Sequence, residues 1–470
     1  MTVAAIPVQR ASSTHLPQWQ RFQPERTASE HPTGTHPYQR QYAHVYHQRL
    51  AVLGPRVWQA VLRDNQCEND NHNHSNNNDD AHTVRHVPRI LELEEGVLSI
   101  AVGTIVKEYE NSVTGNDINS DAVVPGAVNG AKDALVLEDE SGRVVLATAL
   151  VHQYPTGVVL GVQGTVGTDG VLQVERFYHP WTCAPPALPL YIDHTNNINN
   201  NNNDPTYIML VSGLHCGSPK VSSLPRDMLL SYLQGRFGHK ARHVARVIFA
   251  GGLTSTDATA VQELDGFLLA LAASGVPIDV LPGEHDPTTA NWPQRSLHRA
   301  LLPHTTTRYG TLVARTPNPY AARHDHVVCL GTDGRNVRDL CTRVGVPVDD
   351  HDSPGAWRPV TELQALERTL AWGHVCPTGP DSVPTVPHAL QDPMVIEPHL
   401  PHLYFAGNAK KFATQRVVAA HADTATAVDT DDRVAFTRLV CVPQFSETGQ
   451  AVLVNLQTLD VEVVRFQDEE

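Results

Sequence analysis

The spacing of apolar residues changes character along the chain. Tyr42, Val45, Tyr46, Leu50 and Leu53 recur at three- and four-residue steps, which predicts an amphipathic helix. A second short helical pattern, Val57, Trp58, Val61 and Leu62, follows Gly54-Pro55. From Gly96 to Tyr178 the pattern turns to strands. GVLSIAVGTIVKEY forms one long run, with Gly103 as a bulge or close-approach position. Ala134 to Leu137 and Val144 to Thr148 flank the turn EDESGR, and Val158 to Val166 and Val171 to Phe177 flank GTDG. Five strands joined this way predict a small closed barrel of the OB type.

From Tyr207 the texture is α/β. Short apolar runs end in glycine loops: Tyr207 to Val211 at Ser212-Gly213, Val247 to Ala250 at Gly251-Gly252, and Val276 to Leu281 at Pro282-Gly283. Two more stop at Gly331 and Gly407. Leu264, Phe267, Leu268 and Leu271 mark a helix between the second and third, so Arg246 to Pro287 reads as a βαβ unit. Ligands in such sheets bind at the carboxyl ends of the strands, where these loops lie. Residues 302–320 read as a Pro-bounded connector with strand character, and Leu363, Leu366, Leu370 and Trp372 as a helix. Arg433 to Val442 and Ala451 to Phe466 read as a hairpin or paired edge strands.

Composition sets the boundaries. The expected division is a disordered N-terminus at 1–36, a helical segment at 37–66 and an Asn/His-rich insert at 67–88. An OB-fold domain at 89–183, a linker with a polyasparagine insert at 184–206 and an α/β domain at 207–466 follow. His72, His74, His82 and His86 have no cysteine beside them and no element to fix their geometry, so the first insert is read as disordered, not as a metal site. No run approaches a membrane span and no signal peptide stands at the N-terminus, so a soluble, non-secreted protein is expected. The seven cysteines lack any C-x-x-C pair, which fits reduced thiols. A net charge of −15 disfavours DNA as the main partner.

The glycine loops resemble those of calcineurin-like metallophosphoesterases, whose pattern is D-x-H, G-D, G-N-H-D/E, a lone histidine, and G-H-x-H. That resemblance implies a two-metal site built from carboxylates and imidazoles. Here Ser212 and Leu214 stand where aspartate and histidine belong, and Gly252 replaces the bridging aspartate. Glu284 precedes His285-Asp286 in place of the ligand asparagine. Asn408 and Lys410 take the places of the last two histidines, and His374 matches the lone one. Glycine offers no side-chain ligand and a lysine ammonium repels a divalent cation. No metal, cofactor or catalytic residue is therefore expected, and Asp286 reads as a side chain that closes its own loop. The rival reading is an active phosphoesterase or nuclease using His285, Asp286, His374 and Asp333.

The fold class is thus α+β multidomain: an OB-type barrel followed by a calcineurin-like α/β sandwich lacking its metal ligands. That combination resembles the B-subunits of replicative DNA polymerases, and more finely the small-subunit family of polymerase delta. The matching segments run in order from RQYAHVYHQRL (Arg40 to Leu50) and LVLEDESGRV (Leu135 to Val144) to LVSGL (Leu210 to Leu214) and RVIFAGGL (Arg246 to Leu253). VPIDVLPGEHDPT (Val276 to Thr288), NPY (Asn318 to Tyr320), GTDGRNVRDL (Gly331 to Leu340), PTGPDS (Pro377 to Ser382), PHLYFAGN (Pro401 to Asn408) and VLVNLQTL (Val452 to Leu459) continue the series. The resemblance implies a non-catalytic nuclear scaffold for replication and repair. It would bind the C-terminal cysteine-rich module of the catalytic subunit, the third subunit and, as a shared component, the polymerase zeta catalytic subunit. Its contact with DNA would be indirect or weak. An independent single-strand-binding barrel is a further alternative.

Overall fold

The structure, a computed structural model, describes residues 13–15, 42–72, 84–109, 133–188, 205–257, 259–348, 357–387, 392–418 and 435–466. Of the N-terminus expected to be disordered at 1–36, only Ser13–His15 is described, and it forms a short strand. Residues 73–83 of the first insert and the polyasparagine run also lie outside the described residues, whereas 67–72 continue a helix. The chain divides into two compact units. One comprises Met1–His31, Ala184–Arg335 and His399–Glu470, and the other Pro32–Cys183 and Asn336–Pro398. Residues 336–398, placed in the α/β domain by sequence, thus group with the barrel.

In the barrel unit, Leu98–Glu108, Ala134–Glu138, Arg143–Ala147, Leu172–Tyr178 and Val159–Val166 are neighbours in that order, and Leu98–Glu108 pairs again with Val159–Val166 to close the ring. All five predicted strands are present. Arg85–Val87, assigned to the insert by sequence, adds a short parallel strand against Ser99–Ala101. Gly103 is a close-approach position: a Cβ there would come 2.8 Å from the Glu138 carbonyl.

The two helical patterns before the barrel are one helix, Ala43–His72, with Pro55 inside it. Proline removes one i→i−4 bond and ordinarily costs about 3 kcal/mol in a helix interior. Packing offsets it, because Leu53, Val57 and Val61 on either side are buried against Ile100, Val102, Val159 and Tyr178. Two arginines on the same stripe carry the helix onward. Arg49 is 1% exposed, and its guanidinium donates to Asp392 Oδ2 (3.0 Å), Gly157 O (2.9 Å), Pro377 O (2.6 Å) and Gly379 O (2.8 Å). Arg56 donates to Trp181 O (3.1 Å) and Ile396 O (2.7 Å). These bonds join the helix, the barrel and residues 377–396, which accounts for the grouping of 336–398 with this unit.

The other unit holds two six-stranded mixed sheets. One runs Val313–Arg315, Ile278–Leu281, Val244–Ala250, Tyr207–Val211, Gln450–Asn455, Val461–Arg465, its first four strands parallel. The predicted βαβ unit sits at its centre, with helix Ala260–Ala272 between the parallel strands. The second sheet runs Ser13–His15, Tyr320–His324, Val327–Thr332, Leu403–Ala409, Phe436–Pro443, Ala413–Val418.

Two expectations need correcting here. The connector after Leu302 forms a helix, Pro303–Tyr309, before the strand Val313–Arg315. Asp265 explains the helix, since its carboxylate accepts from the N–H groups of His304 and Thr305 (both 2.9 Å). The tail is not one hairpin. Phe436–Pro443 lies inside the second sheet, parallel to Leu403–Ala409, whereas Gln450–Asn455 and Val461–Arg465 form a hairpin in the first. Every residue from Thr437 to Pro443 is buried, and such unbroken burial suits an internal strand, not an edge. Among the described residues no helix is long and apolar enough to cross a membrane.

Candidate functional site

The strand ends of the α/β unit converge as the sequence predicts, and what fills the space between them is protein. Gly213, Gly251 and Gly252 all have φ between +65° and +74°, which L side chains rarely adopt. A Cβ on Gly252 would stand 2.9 Å from the Gly213 Cα and inside the contact distance of Asn408 Oδ1. A Cβ on Gly251 would meet the Gly283 Cα at 2.9 Å. The loops therefore touch backbone to backbone, and position 252 has no room for a carboxylate.

Polar side chains stitch these loops together. Asn408, at φ 51°, donates its Nδ2 to the carbonyls of Ala250 (3.3 Å) and Asp333 (2.9 Å). Its own N–H donates to Ser212 Oγ (2.9 Å), and that hydroxyl faces the carbonyls of Val442 (3.1 Å) and Pro443 (3.0 Å). Asp286 is buried, and its carboxylate accepts from Gly283 N (2.7 Å), Leu253 N (2.9 Å), Thr254 N (2.9 Å) and Thr254 Oγ1 (3.0 Å). Asp333 is fully buried. Its carboxylate accepts from Glu284 N (3.0 Å) and Asn318 Nδ2 (2.8 Å), and Asn318 Nδ2 also reaches Gln294 Oε1 (2.7 Å). Buried charges persist when hydrogen bonds replace their water, and both carboxylates meet that condition with backbone N–H groups.

The other candidate positions scatter. Leu214 is fully buried in the apolar core beneath the first loop. Glu284 is half-buried, with Oε1 3.3 Å from Arg335 Nε. His285 and Lys410 are exposed at the loop tips. His215, not singled out by sequence, is half-buried at φ 45°, and burial first of all lowers its pKa.

His374, matched by sequence to the lone histidine of the metal set, lies in the barrel unit and is committed there. Its Nδ1 accepts from Cys376 N (3.1 Å), so the neutral ring carries its proton on Nε2, which faces Asp392 Oδ2 at 2.9 Å. Burial, with Arg49 beside it and Asp392 opposing, pushes the ring's pKa down to about 4. Both ring nitrogens are used. Among the described residues no group of three His, Cys, Asp or Glu side chains is placed to hold a metal ion.

Sequence reasoning missed Arg49, Gln294 and Asn318. Arg49 had a signal: it falls at the buried position between Val45 and Leu53, four residues from each. Asn318 stood in the matching segment NPY (Asn318 to Tyr320) without a role assigned, and Gln294 had no signal, because its bonds depend on loops brought together only by the fold.

The class of the chain follows from comparison with known proteins. Residues 41–177 match the family model described as DNA polymerase delta subunit OB-fold domain, and residues 208–414 match that of the B-subunit of DNA polymerase alpha/epsilon. Together the two matches give the architecture of a replicative polymerase B-subunit. The chain is 32% identical to the DNA polymerase delta small subunit of Oryza sativa over 81% of its own length and 86% of that protein. It is 31% identical to the Arabidopsis thaliana small subunit, over 81% and 85%, and 29% identical to DNA polymerase delta subunit 2 of Drosophila melanogaster, over 92% and 94%. The chain belongs to the DNA polymerase delta small-subunit family, and its role is that of an accessory subunit of polymerase delta.

Proposed function

We propose that the chain is a non-catalytic scaffold in the nucleus. It joins the C-terminal cysteine-rich module of the polymerase delta catalytic subunit to the third subunit, and serves the polymerase zeta catalytic subunit as well. Its α/β unit is a calcineurin-like phosphoesterase fold that has lost its chemistry.

The observation that carries this reading is the packing at Gly252. A two-metal phosphoesterase needs a bridging carboxylate there, and Asn408 occupies the volume it would fill. Asp286 and Asp333, which could have served as ligands, are spent on backbone N–H groups. Hydrogen bonds between protein groups now hold the strand ends together. A scaffold needs that rigidity and does not need turnover.

The test is metal content and activity together. Purified chain incubated with manganese and a generic phosphodiester is expected to retain no stoichiometric metal and to show no turnover above buffer. Bound metal with turnover that His285→Ala abolishes would establish the rival reading, an active phosphoesterase.

A further inference from the structure

From Pro287 to His324 the chain holds five arginines and no aspartate, glutamate or lysine, although its net charge is −15. Such segregation leaves a local positive surface on an acidic molecule. Arg295, His298, Arg299, His304 and Arg308 are all exposed. They lie on the turn Arg299–Leu301 and the helix Pro303–Tyr309, and on the residues leading into them. His304 and Arg308 are one helical turn apart and so share a face.

The segment is held firmly. Asp265 caps the helix, Thr306 Oγ1 donates to Leu302 O (2.7 Å), and Arg315 Nη1 donates to Leu297 O (2.9 Å). Leu297 and Leu302 are buried beneath it. Its outer charges are unspent. Several exposed arginines elsewhere meet carboxylates, as in Arg85–Glu94 (2.6 Å), Arg89–Glu92 (2.7 Å) and Arg416–Asp460 (3.4 Å). Among the described residues, no carboxylate lies within ion-pair distance of Arg295, Arg299 or Arg308; Arg308 instead stands 5.6 Å from the Tyr309 ring centroid.

We propose that the surface from Arg295 to Tyr309 docks an acidic segment of a partner protein. Arginine's planar fork suits carboxylates, and the absence of lysine favours directed pairing over diffuse attraction. A short acidic segment feels the patch within a Debye length of about 8–10 Å, whereas a long polyanion such as DNA also meets the repulsion of the whole chain. No exposed aromatic side chain stands within the segment to stack bases, which also favours a protein partner over single-stranded nucleic acid. The proposal does not depend on how the glycine loops lost their metal ligands.

The test uses the full chain with a fluorescent deca-glutamate peptide and a short DNA duplex as probes, at about 50 mM salt. The triple variant Arg295→Glu, Arg299→Glu, Arg308→Glu is compared with Arg89→Glu, Arg236→Glu, Arg358→Glu, which makes the same charge change elsewhere. Peptide binding tighter than duplex binding, weakened about tenfold or more by the first variant and little by the second, is expected. Thermal midpoints should stay near wild type, since the altered side chains are exposed. No peptide binding, equal loss in both variants, or a duplex bound more tightly than the peptide and lost only in the first variant would each overturn the proposal.

Discussion

Gly252 and His374 show how much a single position can decide. Restoring the bridging aspartate by Gly252→Asp would not restore a metal site. The substitution puts a Cβ at φ +65° against Asn408, so beyond the strain of about 1–2 kcal/mol for a left-handed residue it must displace the Asn408 side chain. The expected outcome is a lower urea midpoint with no gain in bound manganese. At His374 the consequence is a pH dependence. The folded chain keeps this ring neutral down to about 4, whereas an unfolded histidine titrates near 6.5. The unfolded state therefore binds the extra proton first. Stability is full above about 6.5 and falls as the pH drops towards 4, by roughly 3 kcal/mol at the lower end. Urea midpoints measured from neutral pH down to pH 5 should decline, and His374→Gln should flatten the curve without removing it. His179, also held at about 4 by burial, contributes a second such slope. Little of this was legible from composition. The departures from the phosphoesterase pattern could be read position by position, but that Asn408 stands against Gly252 could not, because volume is a property of the folded loops.

Elements are where the sequence was most readable and most misleading. The barrel strands and the central βαβ unit announced themselves by period and by their turn residues. The long helix did not, because Gly54-Pro55 is a strong local stop signal that tertiary packing overrides. Arg49 is the joint on which that helix depends. Arg49→Ala would take its guanidinium from Asp392, which keeps only neutral donors, and from three buried carbonyls, and breaking a buried pair this way costs about 3–5 kcal/mol. Arg49→Lys should recover only part of that, since an ammonium cannot reach acceptors arranged around a planar fork. Chemical denaturation of both variants would show the order wild type, Lys, Ala. Equal stability of the Lys variant and wild type would mean that charge alone suffices. The tail illustrates the opposite error. Two runs so close in sequence suggested mutual pairing, yet the unbroken burial of Thr437 to Pro443 sends that strand into the interior of one sheet while Gln450–Asn455 joins the other.

At the scale of the whole molecule, the chain is an accessory subunit, and the proposed scaffold role places its function on its surface. An acidic protein with a carboxylate-free arginine segment presents partners with surfaces of both signs. Its strand-end loops are tied together by hydrogen bonds to Asp286, Asp333 and Asn408, and on the proposed reading these replace any need for a metal ion. Removing metal with a chelator should accordingly leave the thermal midpoint unchanged; a fall of several degrees would reveal a structural ion. The most direct measurement is co-expression of this chain with the C-terminal module of the cognate polymerase delta catalytic subunit, followed by size-exclusion chromatography at low salt. A single peak containing the two in equal amounts is the expected result. Separate elution, with both components folded, would contradict the scaffold account.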